Sequence, residues 1–281
     1  MNYRHAYHAG NFADVFKHSL LARMLVHLLA KETPFRYMDT HAGVGLYDLG
    51  RIESQKTGES DLGIRRFLAA ERTPALNALF QPYLDVLKAF NALDGKHYPG
   101  SPMVASHLLR RTDKLSLAEL HPMDSRELLR RFDNDRRTTA MMMDGWSALK
   151  AWLPPPERRG MVLVDPPFED RDELQNLIPA LAAAHLKWPT GTFAFWYPVK
   201  AHREADLFAA DIANLRIPKT LRLELLVDAG GDARALNGSG MIIVNPPWTL
   251  KQEAALMLPF LARTLAIGPH TAWKADWLTG E

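Results

Sequence analysis

Apolar residues recur along the chain at two spacings, one typical of helices and one typical of buried strands. Between residues 11 and 31 they repeat every three or four positions, and Asn11 is a suitable N-cap, which predicts an N-terminal helix. Further helices are predicted near residues 173–185 and 201–215. Short apolar runs predict seven strands, at residues 35–39, 115–119, 140–144, 161–165, 192–197, 221–227 and 241–245.

Strands and helices alternate through most of this pattern, which favours an α/β fold built on a parallel sheet with helices on both faces. Only the Gly-rich loop 228–239 joins the last two strands, so they should pair antiparallel. Residues 46–110 are rich in Leu and Ala and predict a helical insertion broken at Pro74, Pro82 and Pro99. We therefore expect a single domain over residues 1–281, with a doubly wound, mostly parallel seven-stranded sheet whose last strand is antiparallel.

Composition excludes several classes of chemistry. The 34 Lys and Arg nearly balance the 32 Asp and Glu, so local patches rather than overall charge must hold any nucleic acid. The absence of Cys excludes disulfides, thiolate metal sites and the Cys adduct needed to methylate a pyrimidine ring carbon. The 11 His show no ligand spacing, so no metal is expected. Without a membrane-length apolar run or a signal peptide, we expect a cytoplasmic protein that contacts no membrane.

The strand at 161–165 ends in Asp165-Pro166-Pro167-Phe168, which places a carboxylate, rigid carbonyls and a ring at the lip of a sheet. These oxygens can accept hydrogen bonds from an exocyclic amine while the ring stacks on a flat base. A simple turn is the competing interpretation of any Pro-Pro pair. The motif predicts methyl transfer to an amino group, with Asp165 and Pro166 accepting from the amine and Phe168 stacking on the base.

A Gly-rich turn follows the first strand, in the pattern Asp39-x-x-x-Gly43-x-Gly45. Glycines let the backbone turn sharply and approach a ligand closely. A dinucleotide fingerprint needs a third small residue where this chain has Asp48, and no P-loop motif is present. The turn therefore favours a ligand other than a nicotinamide dinucleotide or a nucleoside triphosphate.

Two more acids end later strands. Glu119 can accept from both hydroxyls of a ribose, and Asp144, which precedes Gly145, can accept from an adenine amine. Each acid alone is equally consistent with a solvated residue or a helix cap. Because ligands collect at the carboxyl ends of parallel strands, Asp39, Glu119, Asp144 and Asp165 together predict an S-adenosylmethionine pocket.

A second loop, Asn245-Pro246-Pro247-Trp248, matches the amino-methyltransferase pattern better when taken alone. It follows the strand expected to run antiparallel, so its carboxyl end should point away from the cofactor edge. Asn245 is therefore predicted to be a structural turn.

Segments along nearly the whole chain resemble the RlmJ family: Tyr3-Arg4-His5, His8-Ala9-Gly10-Asn11, Asp14-Val15, Lys17-His18, Asp39-Thr-His-Ala-Gly43, Thr57-Gly58-Glu59, Tyr98-Pro-Gly-Ser-Pro102, Glu119-Leu-His-Pro122, Asp165-Pro-Pro and Asn245-Pro-Pro-Trp248. The motif segment 1–31 is specific to that family. The resemblance implies a class I methyltransferase (Rossmann-like) fold and S-adenosylmethionine-dependent methylation of adenine N6 in large-subunit (23S) ribosomal RNA. Phe168 departs from the family pattern, which carries Tyr, so ring stacking is kept while a phenol hydroxyl is lost.

The resemblance also implies roles for individual residues. Asp165 would be the catalytic acceptor and Tyr3 would touch the target nucleotide. Six residues would contact the cofactor: Lys17, His18, His41, Ser101, Glu119 and Asp144. Each of three residues also has a simpler interpretation. His18 could be a packed histidine, Ser101 a helix cap and Tyr3 an ordinary terminal residue.

The remaining candidates rest on position and composition. Asp39, Gly43 and Gly145 complete the expected cofactor site. The aromatic and basic cluster that contains Tyr3, Arg4 and His5 suits a stacked base flanked by phosphates. Arg51 and Lys56 in the insertion, and Arg234 in loop 228–239, are candidate RNA contacts, although such charges are more often solvated surface.

Three other functions stay open at this point. A DNA adenine-N6 methyltransferase shares the Asp-Pro-Pro-aromatic logic, and a protein glutamine N5-methyltransferase carries Asn at the head of its loop. A non-catalytic RNA-binding protein would have no affinity for the cofactor. Ribosomal RNA is the expected partner, and a monomer is the expected state.

Overall fold

The computed structural model describes residues 5–50, 58–169 and 173–280. Within these ranges the strands, numbered in chain order, are β1 (Arg36–Asp39), β2 (Leu46–Asp48), β3 (His97–Pro99), β4 (Lys114–Glu119), β5 (Thr138–Met142), β6 (Gly160–Val164), β7 (Thr192–Val199), β8 (Thr220–Leu226), β9 (Gly238–Val244) and β10 (Ala272–Thr279).

The α-helices of the same ranges are α1 (Phe12–Leu29), α2 (Arg66–Ala69), α3 (Pro74–Ala89), α4 (Ser101–Leu108), α5 (Pro122–Phe132), α6 (Gly145–Trp152), α7 (Glu173–Lys187), α8 (His202–Asn214) and α9 (Leu250–Thr264). A 3-10 turn at His5–Tyr7 precedes α1, and a π-helical segment at Asp61–Arg65 leads into α2.

The main sheet has eight strands in the order β10-β8-β9-β7-β6-β1-β4-β5. Neighbours from β7 to β5 pair in parallel, whereas β9 pairs antiparallel with both β7 and β8. Helices cover both faces, with α1 and α4 in one apolar cluster and α7 and α8 in the other. The predicted fold class, a doubly wound and mostly parallel sheet with an antiparallel strand near its end, is confirmed.

The number of strands was predicted one too low. All seven predicted strands are present, and β10 adds an eighth at the edge of the sheet. Its sequence mixes Trp273 and Trp277 with Lys274 and Asp276, because an edge strand is partly exposed and needs no continuous apolar run. The apolar-run criterion therefore missed it.

The segment 46–110 also differs in detail from the predicted helical insertion. It contains the small antiparallel pair β2–β3 as well as helices. Pro82 lies inside α3 instead of ending it, because Phe80, Tyr83 and Val86 of that helix are buried and their packing offsets one lost backbone hydrogen bond. Pro74 begins α3, as a Pro at the first helical position should.

Helix α1 lies against α3, α4 and β9 and reaches the carboxyl edge of the parallel strands with its first turns. Its start is determined by Asn11, whose side chain accepts a hydrogen bond of 2.9 Å from the Asp14 backbone N–H. Phe16, Leu20 and Met24 are fully buried along it. The helix is therefore held firmly where it meets the sheet edge.

The loop after β9 lies at the amino ends of the parallel strands, as the topology predicted. The Asn245 amide donates to the carbonyls of Pro189 and Gly191, both at 2.8 Å, just before β7. Asn245 has φ +50°, a conformation that Asn tolerates better than most residues. Its contacts are thus those of a structural turn.

We expect Asn245→Ala to lower the free energy of unfolding by about 1–3 kcal/mol, because two carbonyls lose their donor and Ala is strained at this φ. Urea denaturation measures the change. Trp248→Ala is the matched control three residues away, since Trp248 is 77% exposed. Equal stability of Asn245→Ala and the wild type would contradict the structural role.

Candidate active site

A cavity of about 800 Å³ opens at the carboxyl ends of the parallel strands. Helix α1, the turn after β1 and the ends of β4, β6 and β7 all contribute to its wall. It brings together most of the predicted site residues that the structure describes: His5, Lys17, His18, His41, Gly43, Ser101, Glu119, Asp165, Pro166, Phe168 and Arg234.

Three other predicted residues lie near this edge but are not among the described residues that line the cavity. Asp39 is completely buried beneath it, and Asp144 and Gly145 begin α6 beside it. Four candidate RNA contacts fall outside the described ranges: Tyr3, Arg4, Arg51 and Lys56.

A buried ammonium joins α1 to the end of β6. Lys17 Nζ makes an ion pair with Asp165 Oδ2 and lies 3.3 Å from Asp14 Oδ1. The Lys17 side chain is only 4% exposed and the Asp165 side chain 14%. Burial alone would lower the pKa of Lys17, but Asp165 and Asp14 outweigh it and hold the pKa above its ordinary value. Lys17 therefore stays charged and orients the Asp165 carboxylate.

Asp14 anchors the other side of this ion pair. It accepts from the Gly10 backbone N–H at 2.9 Å and contacts His5 Nε2 at the same distance. Burial would raise the pKa of Asp14, but His5 and Lys17 hold it well below its ordinary value. The carboxylates of Asp14 and Asp165 both line this end of the cavity, and Lys17 lies between them.

Glu119 receives backbone donors on both oxygens. Gly43 N–H donates to Oε2 and His121 N–H donates to Oε1, each at 2.8 Å. Burial raises the pKa of Glu119 above its ordinary value. Each oxygen keeps a further lone pair, so the carboxylate can still accept from a pair of hydroxyls.

The Gly-rich turn leaves no room for side chains at Gly43. Its φ is +61°, and a Cβ there would lie 2.2 Å from the Tyr47 hydroxyl. Glycine allows the turn to carry its N–H to Glu119 and still pass against this ring. The backbone of this turn was predicted to approach a ligand closely, and at Gly43 the close neighbour is the protein's own Tyr47.

Asp39 forms a buried support below the turn. Its Oδ2 accepts from the Tyr37 hydroxyl at 2.7 Å and its Oδ1 from the His41 N–H at 3.3 Å. Burial raises its pKa to about 6, although hydrogen bonds from Ser101 and Tyr37 oppose the increase. Gly100, not Ser101, is the N-cap residue of α4, so the cap interpretation of Ser101 was wrong and its hydroxyl serves Asp39 instead.

Asp144 caps α6 by accepting from the Ser147 N–H at 2.8 Å. Gly145 follows it and packs on the first turn, since a Cβ there would lie 2.4 Å from the Thr40 carbonyl oxygen and 2.5 Å from His41 Nε2. Asp144 and Gly145 therefore each have a local structural role, and contact of either residue with a cofactor stays a prediction.

Two histidines on the cavity wall are held in the neutral form. Burial lowers the pKa of His18 to about 3 and the pKa of His41 to about 4. His18 Nδ1 lies 2.7 Å from the Tyr98 hydroxyl, and Tyr98 lies 3.0 Å from the Tyr83 hydroxyl. His18 is thus a packed histidine that also lines the cavity, and its contact with a cofactor stays a prediction.

The Pro-Pro loop ends in an unusual backbone conformation. Phe168 has φ +52°, which is rare for a bulky side chain and marks local strain. Its ring meets the Trp196 ring at 70° with centroids 5.4 Å apart. The strained conformation turns this ring into the cavity, next to Asp165.

Several lining residues were given no role from the sequence, among them Asp14, Tyr47, Trp196, Pro198, Lys200, Leu236 and Ile267. Asp14 appeared only within the family-resembling segment Asp14-Val15, with no role of its own. Trp196 lay within a predicted strand, where an aromatic residue is ordinary. Alternation along β7 would have shown that Trp196 and Pro198 share one face.

The described residues give no support for a metal site or for a membrane-spanning helix. No group of three or more His, Asp or Glu in these ranges could hold a metal ion. None of the helices in the same part of the chain has the length and apolar character needed to span a bilayer.

The chain is similar in sequence and in fold to known proteins. The family model described as "RsmJ: Ribosomal RNA large subunit methyltransferase D, RlmJ" matches residues 32–279. Proteins of Haemophilus influenzae and Escherichia coli, each named "Ribosomal RNA large subunit methyltransferase J", are 39% identical to this chain over the full length of both partners. A crystal structure from Legionella pneumophila superposes with a TM-score of 0.86 at 34% identity, covering 96% of this chain and 98% of the other.

Lowering the pH from 7 to 5 should destabilise the fold through His18. The unfolded histidine binds a proton near its ordinary pKa of 6.5, whereas folded His18 resists protonation until about pH 3. Stability is therefore lost between these values as pH falls, by up to about 1.4 kcal/mol per pH unit.

His18→Gln should make the unfolding free energy, measured in urea, less sensitive to pH in this window. Asp39 acts in the opposite direction but is present in both proteins, so its effect cancels. Measurements at pH 8, where the histidine is neutral in both states, isolate the packing cost of the substitution. An unchanged pH dependence in the variant would contradict the assignment.

Proposed function

The chain belongs to the RsmJ/RlmJ family of ribosomal RNA methyltransferases, and we propose that it methylates the exocyclic N6 of an adenine in large-subunit (23S) ribosomal RNA with S-adenosylmethionine as donor. One observation carries the choice of an amino-group target. Asp165, at the end of a parallel strand, lines the same cavity as Gly43 and Glu119 and is oriented there by Lys17.

The cavity fits the expected donor. Its volume of about 800 Å³ is in the range of small-molecule sites. Glu119 would accept from the ribose hydroxyls, and the Asp165 carboxylate in the same cavity would favour the sulfonium. His18, His41 and Ser101 would complete the wall on that side, while Asp39 supports the turn from below. When bound, S-adenosylmethionine supplies a methyl group that is already activated.

Asp165 has one oxygen left for the target. Lys17 occupies Oδ2, and no described residue donates to Oδ1. The adenine amine is a poor nucleophile because its lone pair is delocalised into the ring. Asp165 Oδ1 and the Pro166 carbonyl accept hydrogen bonds from the amine and so favour a pyramidal nitrogen. The Asp165 carboxylate then takes the proton that the nitrogen loses when it bonds to the methyl carbon.

Phe168 supplies orientation. Its ring stacks on the flat base and holds the amine toward the donor. Because phenylalanine has no hydroxyl, stacking is the whole of its contribution. The target base must leave its helix or come from an unpaired region to reach this depth. His5 lines the cavity in contact with the Tyr47 ring, and there it would contact the RNA.

The structure disfavours the protein glutamine alternative. Its signature would be Asn245-Pro-Pro-Trp248, but Asn245 lies at the opposite edge of the sheet with its amide committed to Pro189 and Gly191. The names of the two relatives refer to ribosomal RNA rather than DNA. Parallel assays with ribosomal RNA, duplex DNA and protein fractions would separate the three substrate classes by where labelled methyl appears.

Asp165→Asn should reduce methyl transfer about 100-fold or more, because the amide cannot accept the proton and no longer pairs with Lys17. The measurement is labelled methyl incorporated into large-subunit ribosomal RNA from cells without this protein, followed by nucleoside analysis for N6-methyladenosine. Asp211→Asn, on the exposed surface of α8, is the matched control and should keep full activity. Wild-type turnover by Asp165→Asn would exclude this carboxylate as the acceptor of the proton.

Glu119→Gln should weaken S-adenosylmethionine binding about 10-fold to 100-fold, since a charged acceptor for the ribose is lost. Calorimetry measures the affinity directly and does not depend on turnover. Glu204→Gln, at an exposed position of α8, is the control with the same chemical change. Equal affinities of Glu119→Gln and the control would place the ribose elsewhere.

A further inference from the structure

Trp196 lies beside the catalytic carboxylate on the neighbouring strand. Val164 of β6 is in register with Phe195 of β7, so Asp165 and Trp196 stand abreast at the carboxyl edge. Trp196 shares its face of β7 with Pro198, and both line the cavity. Lys17 Nζ, which holds Asp165, lies 5.3 Å from the centre of the Trp196 ring.

The order of strands puts Trp196 on the side away from the expected donor. From one side to the other the strands run β7-β6-β1-β4-β5, and Glu119 ends β4. Asp165, after β6, lies between Glu119 and Trp196. A donor bound at Glu119 therefore leaves the β7 side for the acceptor.

The indole is held in one orientation from within the protein. Its Nε1–H donates to Ser239 Oγ at 2.8 Å, and Ser239 is fully buried on β9. Met241 is the residue of β9 opposite Trp196, which makes Ser239 its diagonal neighbour on the same face. Because the N–H is already satisfied, the ring offers the cavity only apolar and π surface.

Phe168 and Trp196 form a corner of two aromatic rings. Their planes meet at 70° with centroids 5.4 Å apart, so a flat ligand that stacks on one ring places its edge against the other. Trp196 is half-buried, unlike the fully buried Phe195 and Tyr197 on either side of it. Its exposed part faces the cavity rather than the core.

We propose that Trp196 is a second wall of the target-base pocket, which positions the purine against Asp165 together with Phe168, with Ser239 keeping the indole in place. The inference rests on the proposed methylation of an adenine. Stacking does not read the identity of the base, so Trp196 determines where the base lies, while Asp165 and Pro166 recognise its amine.

Trp196→Leu should lower kcat/KM for ribosomal RNA about 10-fold to 100-fold, the usual cost of losing one base-stacking ring. Trp196→Phe keeps a ring but loses the Ser239 anchor, so its kcat/KM should lie between that of Trp196→Leu and that of the wild type. Ser239→Ala should raise KM for the RNA several-fold, because the indole loses its anchor. The S-adenosylmethionine affinity of Trp196→Phe, measured by calorimetry, should match that of the wild type.

Trp248→Leu is the matched control, because Trp248 is exposed at the opposite edge of the sheet. Wild-type kcat/KM in Trp196→Leu would overturn the role of Trp196 while leaving the proposed function intact. Parallel losses of donor affinity and activity in Trp196→Phe would also overturn it, since they would show a purely structural role. Absence of N6-methyladenosine in RNA treated with wild-type protein would instead reject the proposed function itself.

Discussion

The Lys17 ammonium, held between Asp14 and Asp165, is the interaction on which the arrangement of the site depends. It connects the first turns of α1 to the end of β6, through two residues that are 148 positions apart in sequence. A buried charge of this kind is tolerated only when it is paired, and here both partners are carboxylates. The same contact determines the direction of the Asp165 carboxylate and the charge of the cavity.

Strand direction explains why one of two similar loops lies at the cavity. Asp165 follows a strand of the parallel set, whereas Asn245 follows β9, which is inserted antiparallel between β7 and β8. The two motifs are therefore on opposite edges of one sheet, and only the first meets the Gly-rich turn and Glu119. A motif's chemistry depends on this placement as much as on its residues.

Buried elements could be predicted from the sequence because burial leaves a simple pattern. The continuous apolar runs of β6 and β9 identified their strands, and the rule that ligands collect at carboxyl ends placed Glu119 and Asp165 on one edge. The exposed β10 lacked such a run.

The finer parts of the site depend on contacts between distant residues. The pairing of Asp14 with Lys17 lies within one helix, but its link to Asp165 requires the whole fold. The facing of Trp196 follows from strand alternation, yet its anchor Ser239 lies on a strand that pairs with β7 only in three dimensions. Asp144 shows that a local signal can also be ambiguous. An acid at the end of a strand can contact a ligand or cap the next helix, and Asp144 caps α6.

If Phe168 stacks on the base as proposed, its left-handed backbone sets activity against thermostability. Holding a bulky residue at φ +52° costs on the order of 1–3 kcal/mol, which glycine would not incur. An engineering campaign that selects only for heat resistance would be drawn to glycine at this position. The resulting protein would gain stability and lose the ring that we propose stacks on the target base.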